Sequence, residues 1–150
     1  MRIAVFPGSF NPFTIGHADI VRRGLLLFDR VVVAVGYNVA KTSSDNMEER
    51  VAAITRIYKD EPRVKVVSYS CLTADLAAQE GARFLLRGIR SVKDFEYERD
   101  LAAVNADLAA TSEGTLETVL LIADPRYAHI SSSVVRELQA YGRDVTPYLS

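Results

Sequence analysis

The sequence predicts a single-domain, doubly wound α/β fold around a five-stranded parallel sheet, and three observations point to it. Five short β-rich runs are separated by stretches of helical periodicity, so strand and helix alternate from end to end. Two of the runs, 31–35 and 119–122, are apolar without alternation, as in strands covered on both faces, and parallel sheets are where such strands occur. No composition shift, linker or internal repeat divides the 150 residues, a length that suits one domain.

Each element has its own justification. The first strand is expected over 2–6, followed by a helix whose stripe is Ala18, Val21, Leu25 and Phe28. The second strand covers 30–35, and Met47, Val51, Ile54 and Tyr58 mark the next helix. Asp45 and Asn46 supply its N-cap chemistry, with Glu48 and Glu49 in capping-box positions. The third strand is read over 63–69, before a brief helix at 73–80 that Gly81 stops as a C′ residue. The fourth strand, 82–86, leads to a helix with the stripe Tyr97, Leu101, Val104 and Leu108. The fifth, 116–123, precedes a last helix marked by Val134, Leu138 and Tyr141.

The chain is 49% hydrophobic and 25% charged, with a formal net charge of −1. That balance argues against a protein that coats nucleic acid, yet it leaves room for a local anion site. The longest apolar runs fall far below the ~18 residues of a membrane span, and Pro7-Gly8 comes too soon for a secretory leader. The expectation is a cytoplasmic protein with no nucleic-acid or membrane partner. A lone cysteine excludes an internal bridge, and Cys71 reads as a small buried hydrophobe.

In open sheets of this type ligands bind beyond the carboxyl ends of the strands, so the chemistry is sought in the loops after Phe6, Val35, Tyr69, Leu86 and Ala123. The first loop joins Gly8 and Gly16 to His17, which falls in the first turn of a helix. It reads either as a Pro/Gly-rich turn or as a phosphate cradle on a helix N-terminus. The second loop carries Lys41 among small polar residues. The fourth strand runs into Arg87 and Arg90, whose forks suit one phosphorylated ligand or, equally, ion pairs with the acidic helix start that follows. Four bases in residues 82–93 meet four acids in residues 94–100. Ser131, Ser132 and Ser133 open the last helix, as capping material or as another anion site. One cysteine and two distant histidines offer no zinc spacing. There is neither a Walker loop nor a Gly-x-Ser-x-Gly elbow.

Three segments carry a family resemblance. Gly8-Ser9-Phe10-Asn11-Pro12 with Thr14-Ile15-Gly16-His17 resembles the first motif of the nucleotidylyltransferase superfamily, and Ile130-Ser131-Ser132-Ser133 with Arg136 resembles its second. Leu86-Arg87-Gly88-Ile89-Arg90 followed by Asp94-Phe95-Glu96-Tyr97-Glu98 is similar to the bacterial phosphopantetheine adenylyltransferase family within it. Asn11 stands where that family usually has Asp, and Ser9 where Thr is commoner.

The resemblance implies a Rossmann-like nucleotidylyltransferase fold, transfer of the adenylyl group of ATP to 4′-phosphopantetheine, Mg²⁺ carried with the ATP, and a homohexamer. It implies ATP contacts from Ser9, Phe10, His17, Gly88, Ile89, Arg90 and Glu98, and from Tyr127, Ala128, His129, Ile130, Ser131, Ser132 and Ser133. It puts Ser9, Lys41, Thr73 and Arg87 on the phosphopantetheine side. The expected chemistry is in-line displacement at the α-phosphorus by an already anionic phosphate, which needs no strong base and no protein metal cage. His17, Lys41 and Arg90 are the expected catalytic groups.

Overall fold

The structure, a computed structural model, describes residues 1–36, 47–110 and 114–150. Five strands, β1 (Ile3–Gly8), β2 (Arg30–Gly36), β3 (Val64–Tyr69), β4 (Phe84–Ile89) and β5 (Glu117–Ile122), form one sheet in the order β3-β2-β1-β4-β5. Every pairing is parallel. Between and after them run α1 (Ile15–Gly24), α2 (Met47–Ile57), α3 (Thr73–Gln79), α4 (Val92–Ala109) and α5 (Ser132–Ala140), with a 3-10 turn at Thr146–Tyr148.

The apolar run 31–35 has the physical consequence its sequence implies, whereas 119–122, on the edge strand β5, is only half covered and leaves Ile122 72% exposed. Ala4, Phe6, Val31, Val33, Val35 and Leu86 join a core with Ile20 and Val21 of α1 and Ile54 of α2. The intervening Val5, Val32, Ala34 and Leu85 join a second core with Ala74, Leu76 and Ala77 of α3. Successive residues point to opposite faces, so a strand that must fill both faces has no polar side to spare. A third, smaller cluster packs Val135 of α5 with Ile130 and Val145.

Several boundaries move, for identifiable reasons. β4 starts at Phe84 and continues through Arg87, Gly88 and Ile89, because those three pair with Leu120, Leu121 and Ile122 of β5. Helix α1 stops at Gly24 and does not reach Phe28; a Cβ at Gly24 would stand 2.6 Å from Leu86 Cδ2. α3 ends as expected, with Gly81 at φ +66° and Ala82 N–H donating back to the Ala77 carbonyl. Asp45 and Asn46 lie outside the described residues.

Three expectations fail. The α4 stripe does not face the core: Tyr97, Val104 and Leu108 are 64%, 53% and 44% exposed, while Glu98 and Asn105 are the buried residues. Both buried polar groups line a cavity at the sheet beside Leu101 and Ala102, so α4 turns a mixed face inward and Leu101 alone of the stripe is half-buried there. In α5 Val135 faces inward with Leu138 of the expected stripe beside it, while Val134 and Tyr141 are exposed. Cys71 is exposed, in the turn before α3.

Candidate active site

The sheet order reverses between β1 and β4, since β2 and β3 extend to one side and β5 to the other. Loops leaving the carboxyl ends of these two strands diverge and open a crevice. Two cavities of about 500 and 440 Å³ lie there and share Pro7, Gly8, Ser9, Arg87, Tyr97 and Glu98 as walls.

The β1–α1 loop is organised by packing. The Phe10 ring is 3% exposed and meets the rings of Phe6, Phe13 and His17 at centroid distances of 5.1, 5.3 and 5.0 Å, each edge-on. A Cβ on Gly8 would stand 2.9 Å from that ring, so the strand end tolerates only glycine without displacing it. Phe10 sits at φ +47°, a left-handed conformation that costs a bulky residue about 1–3 kcal/mol and persists only where its surroundings demand it. Phe10 therefore contributes mainly main chain to the second cavity, its ring being core.

His17 closes a capping box on α1. Thr14 Oγ1 accepts from His17 N–H at 3.4 Å, and His17 Nδ1 accepts from Thr14 N–H at 2.9 Å. An accepting Nδ1 carries no proton, so the neutral ring bears its hydrogen on Nε2. Burial, then the positive charges of Arg90 and Arg87, hold its pKa down at about 4. At neutral pH His17 is an uncharged N–H donor in the wall of the second cavity.

The two arginines of the β4 end differ in their engagements. Arg87 donates Nε and Nη2 to the two Glu98 oxygens at 2.9 and 2.7 Å, and Nη1 to the Pro7 carbonyl. Glu98 is 5% exposed, so this is the ion-pair alternative realised with the acidic helix start, and it partitions the two cavities. Arg90 is looser: its main-chain N–H donates to Asp94 Oδ2 at 2.9 Å, and its Nε stands 3.7 Å from the same oxygen, with the side chain 44% exposed.

At α5 the three serines divide the work. Ser131 caps the helix, accepting from Val134 N–H. Ser132 Oγ donates to the Pro12 carbonyl, and Ser133 Oγ accepts from Arg136, whose Nη1 donates to the Asn11 carbonyl. The first and last motifs are thereby tied together.

The second cavity brings together Ser9, Phe10, His17, Gly88, Arg90, Glu98, Tyr127, Ile130, Ser131, Ser132 and Ser133. Ile89, Ala128 and His129 do not line it. It adds Thr14, Asp94 and Arg136, which sequence reasoning did not assign as contacts, although all three lie inside or beside the quoted motifs. The first cavity brings together Ser9, Thr73 and Arg87, with Gly36 and Tyr69 from the ends of β2 and β3. Its inner wall is Leu85, Leu101, Ala102, Asn105 and Thr118, and the buried Thr118 Oγ1 has no partner among the described residues. Lys41 lies outside the described residues. Among these, no three His, Cys, Asp or Glu side chains come together in a metal-holding group. Asp94 and Glu98, the acids of the second cavity, already accept from Arg90 and Arg87.

Comparison with known proteins places the chain in a family. A family model described as cytidylyltransferase-like matches residues 5–138. The phosphopantetheine adenylyltransferase of Bacteroides fragilis is 48% identical over 149 residues, covering 99% of this chain and 96% of that one. That of Porphyromonas gingivalis is 51% identical over 148 residues, covering 99% and 94%. Among solved structures, a putative nicotinate-nucleotide adenylyltransferase from Vibrio parahaemolyticus superposes with a TM-score of 0.64. It is 18% identical, covers 100% of this chain and 94% of that one, and so bears on the fold alone.

Proposed function

Because the chain belongs to the cytidylyltransferase-like family, and is a nucleotidyltransferase with the phosphopantetheine adenylyltransferase activity of coenzyme A biosynthesis, we propose that it works by one in-line transfer. A phosphate oxygen of 4′-phosphopantetheine forms a bond to the α-phosphorus of ATP. The bond from that phosphorus to the bridging oxygen breaks, and pyrophosphate leaves with its electron pair. The nucleophile is already an anion, so no base is required. Catalysis comes from positioning and from stabilising charge.

One observation carries this reading: two cavities meet at Ser9 and share the Arg87–Glu98 pair as a partition. ATP occupies the second cavity, with Ser9, Phe10, His17, Gly88, Arg90, Glu98 and the segment from Tyr127 to Ser133 around it. His17 donates Nε2–H and Arg90 its guanidinium to phosphate oxygens, aided by the α5 N-terminus. Phosphopantetheine occupies the first cavity, its phosphate towards Ser9, Lys41 and Arg87. Thr73, Asn105 and Thr118 offer polar partners further along. Three of the five Arg87 N–H groups are engaged by Glu98 and Pro7, so Arg87 meets substrate through the outer remainder.

Among the described residues the carboxylates of the second cavity already accept from arginines, and no group of three could hold a metal ion. Mg²⁺ therefore comes with the triphosphate and keeps most of its waters. The assembly is read as a homohexamer, and the exposed apolar stripe of α4 supports burial against other copies. The whole chain acts as one domain. Cytoplasmic residence fits the activity, and no described helix is long and apolar enough to cross a membrane.

The test is incubation with Mg-ATP and 4′-phosphopantetheine, followed by mass detection of dephospho-coenzyme A and pyrophosphate. Nicotinate mononucleotide, nicotinamide mononucleotide and glycerol phosphate serve as competing acceptors. Preferred adenylylation of any of them, or no product at all, refutes the reading.

A further inference from the structure

We propose that Arg50, on α2 and outside both cavities, is a positioning residue for adenylyl transfer that acts through the carbonyl of Ser9. The inference rests on the reading that the substrates meet at Ser9. Four carbonyls of the segment 7–12 are each taken by a side chain from elsewhere: Pro7 by Arg87, Ser9 by Arg50, Asn11 by Arg136 and Pro12 by Ser132. Of these donors only Arg50 lines neither active-site cavity. It borders a separate 240 Å³ pocket behind the loop, with Phe10, Phe13, Glu49 and Ile54.

The planar peptide converts that single contact into an orientation. Fixing the Ser9 carbonyl, 2.5 Å from Arg50 Nη1, fixes the plane that also holds Phe10 N–H, which a trans peptide aims away from α2. Phe10 needs this support because its φ is +47°. The Ser9 carbonyl lies in the peptide plane that enters Phe10, and the Asn11 carbonyl, one residue beyond it, is held by a second guanidinium, so the loop is anchored on both sides of the strained residue. Arg50 Nε is buried without a partner among the described residues, so the Ser9 carbonyl is the hydrogen bond this side chain makes there. Its effect reaches the reaction through main chain alone.

The experiment compares wild type with Arg50→Ala and Arg50→Lys for kcat, both KM values and melting temperature, with and without millimolar methylguanidinium. Expected for Arg50→Ala is a fall in kcat of about 10- to 100-fold, the scale of a sub-ångström to 1 Å misplacement, with each KM within about threefold of wild type. Arg50→Lys, or methylguanidinium added to Arg50→Ala, recovers part of kcat without raising the melting temperature. Wild-type kcat in Arg50→Ala overturns the proposal, as does a loss confined to one KM or one that neither Lys nor methylguanidinium repairs. If Arg50→Ala does not fold, Arg50→Gln takes its place under the same criteria. A wild-type chain that makes no dephospho-coenzyme A refutes the functional reading itself; an active wild type indifferent to Arg50 refutes only this inference.

Discussion

His17 has two nitrogens with two different duties. Nδ1 accepts from Thr14 N–H and closes the start of α1, which leaves Nε2–H as the ring's donor in the wall of the second cavity. His17→Ala is expected to lower kcat by about 10²–10³, the usual cost of one transition-state donor, as steady-state kinetics will show. The same variant keeps the Thr14 cap but takes away the acceptor of Thr14 N–H, at about 1 kcal/mol of stability, measurable by urea denaturation. The pKa makes a separate prediction. Held at about 4 in the folded chain against an ordinary 6.5, His17 takes up its proton more readily when unfolded. Its contribution to stability is therefore complete above pH 6.5 and declines as pH falls from 6.5 to 4. Denaturation across that window should show the decline in wild type and a shallower one in His17→Ala. Equal slopes would mean the ring is not held neutral.

At the scale of elements, Gly8 and Phe10 decide the shape of the β1 end. Gly8→Ala would bring a Cβ to 2.9 Å from a ring already enclosed by Phe6, Phe13 and His17. A stability loss of about 1–3 kcal/mol follows from such overpacking, with weaker ATP binding by calorimetry. Helix α4 poses the opposite case, apolar residues with nothing yet against them. Val104→Glu should change the stability of an isolated subunit by no more than about 0.5 kcal/mol, since the side chain is 53% exposed. In an assembly built on that face it buries a charge. Native mass spectrometry should then register smaller species than wild type, and an unchanged mass distribution would remove α4 from the interface. The β4 boundary carries the same lesson. Residues 87–89 look like loop because they hold an arginine and a glycine, yet pairing with β5 keeps them in strand and fixes where Arg87 and Arg90 emerge.

For the whole molecule, two adjoining cavities predict two separable stabilisations. A non-hydrolysable ATP analogue or phosphopantetheine, each at 100 times its Kd, should add about 2.7 kcal/mol, equivalent to a melting shift of roughly 5–10 °C for a chain of this size. Both together should exceed either alone in differential scanning calorimetry. Mutual exclusion would place both ligands in one cavity.

Much of this was legible in the sequence. The β2 strand covered on both faces, helix periodicity between the strands, Gly81 as a stop and the three motif segments all depend on residues near one another along the chain. Tertiary structure alone decided the rest. The Arg87 fork meets a carbonyl 80 positions away, and Arg136 holds one 125 positions away. The inward face of α4 mixes Glu98 and Asn105 with Leu101 and Ala102 around a cavity, which no periodicity within the helix reports. A near-zero net charge states only a total. Which arginine is locked on a buried carboxylate, and which stays loosely paired and half-exposed, depends on distances that exist only after the sheet has brought the strand ends together.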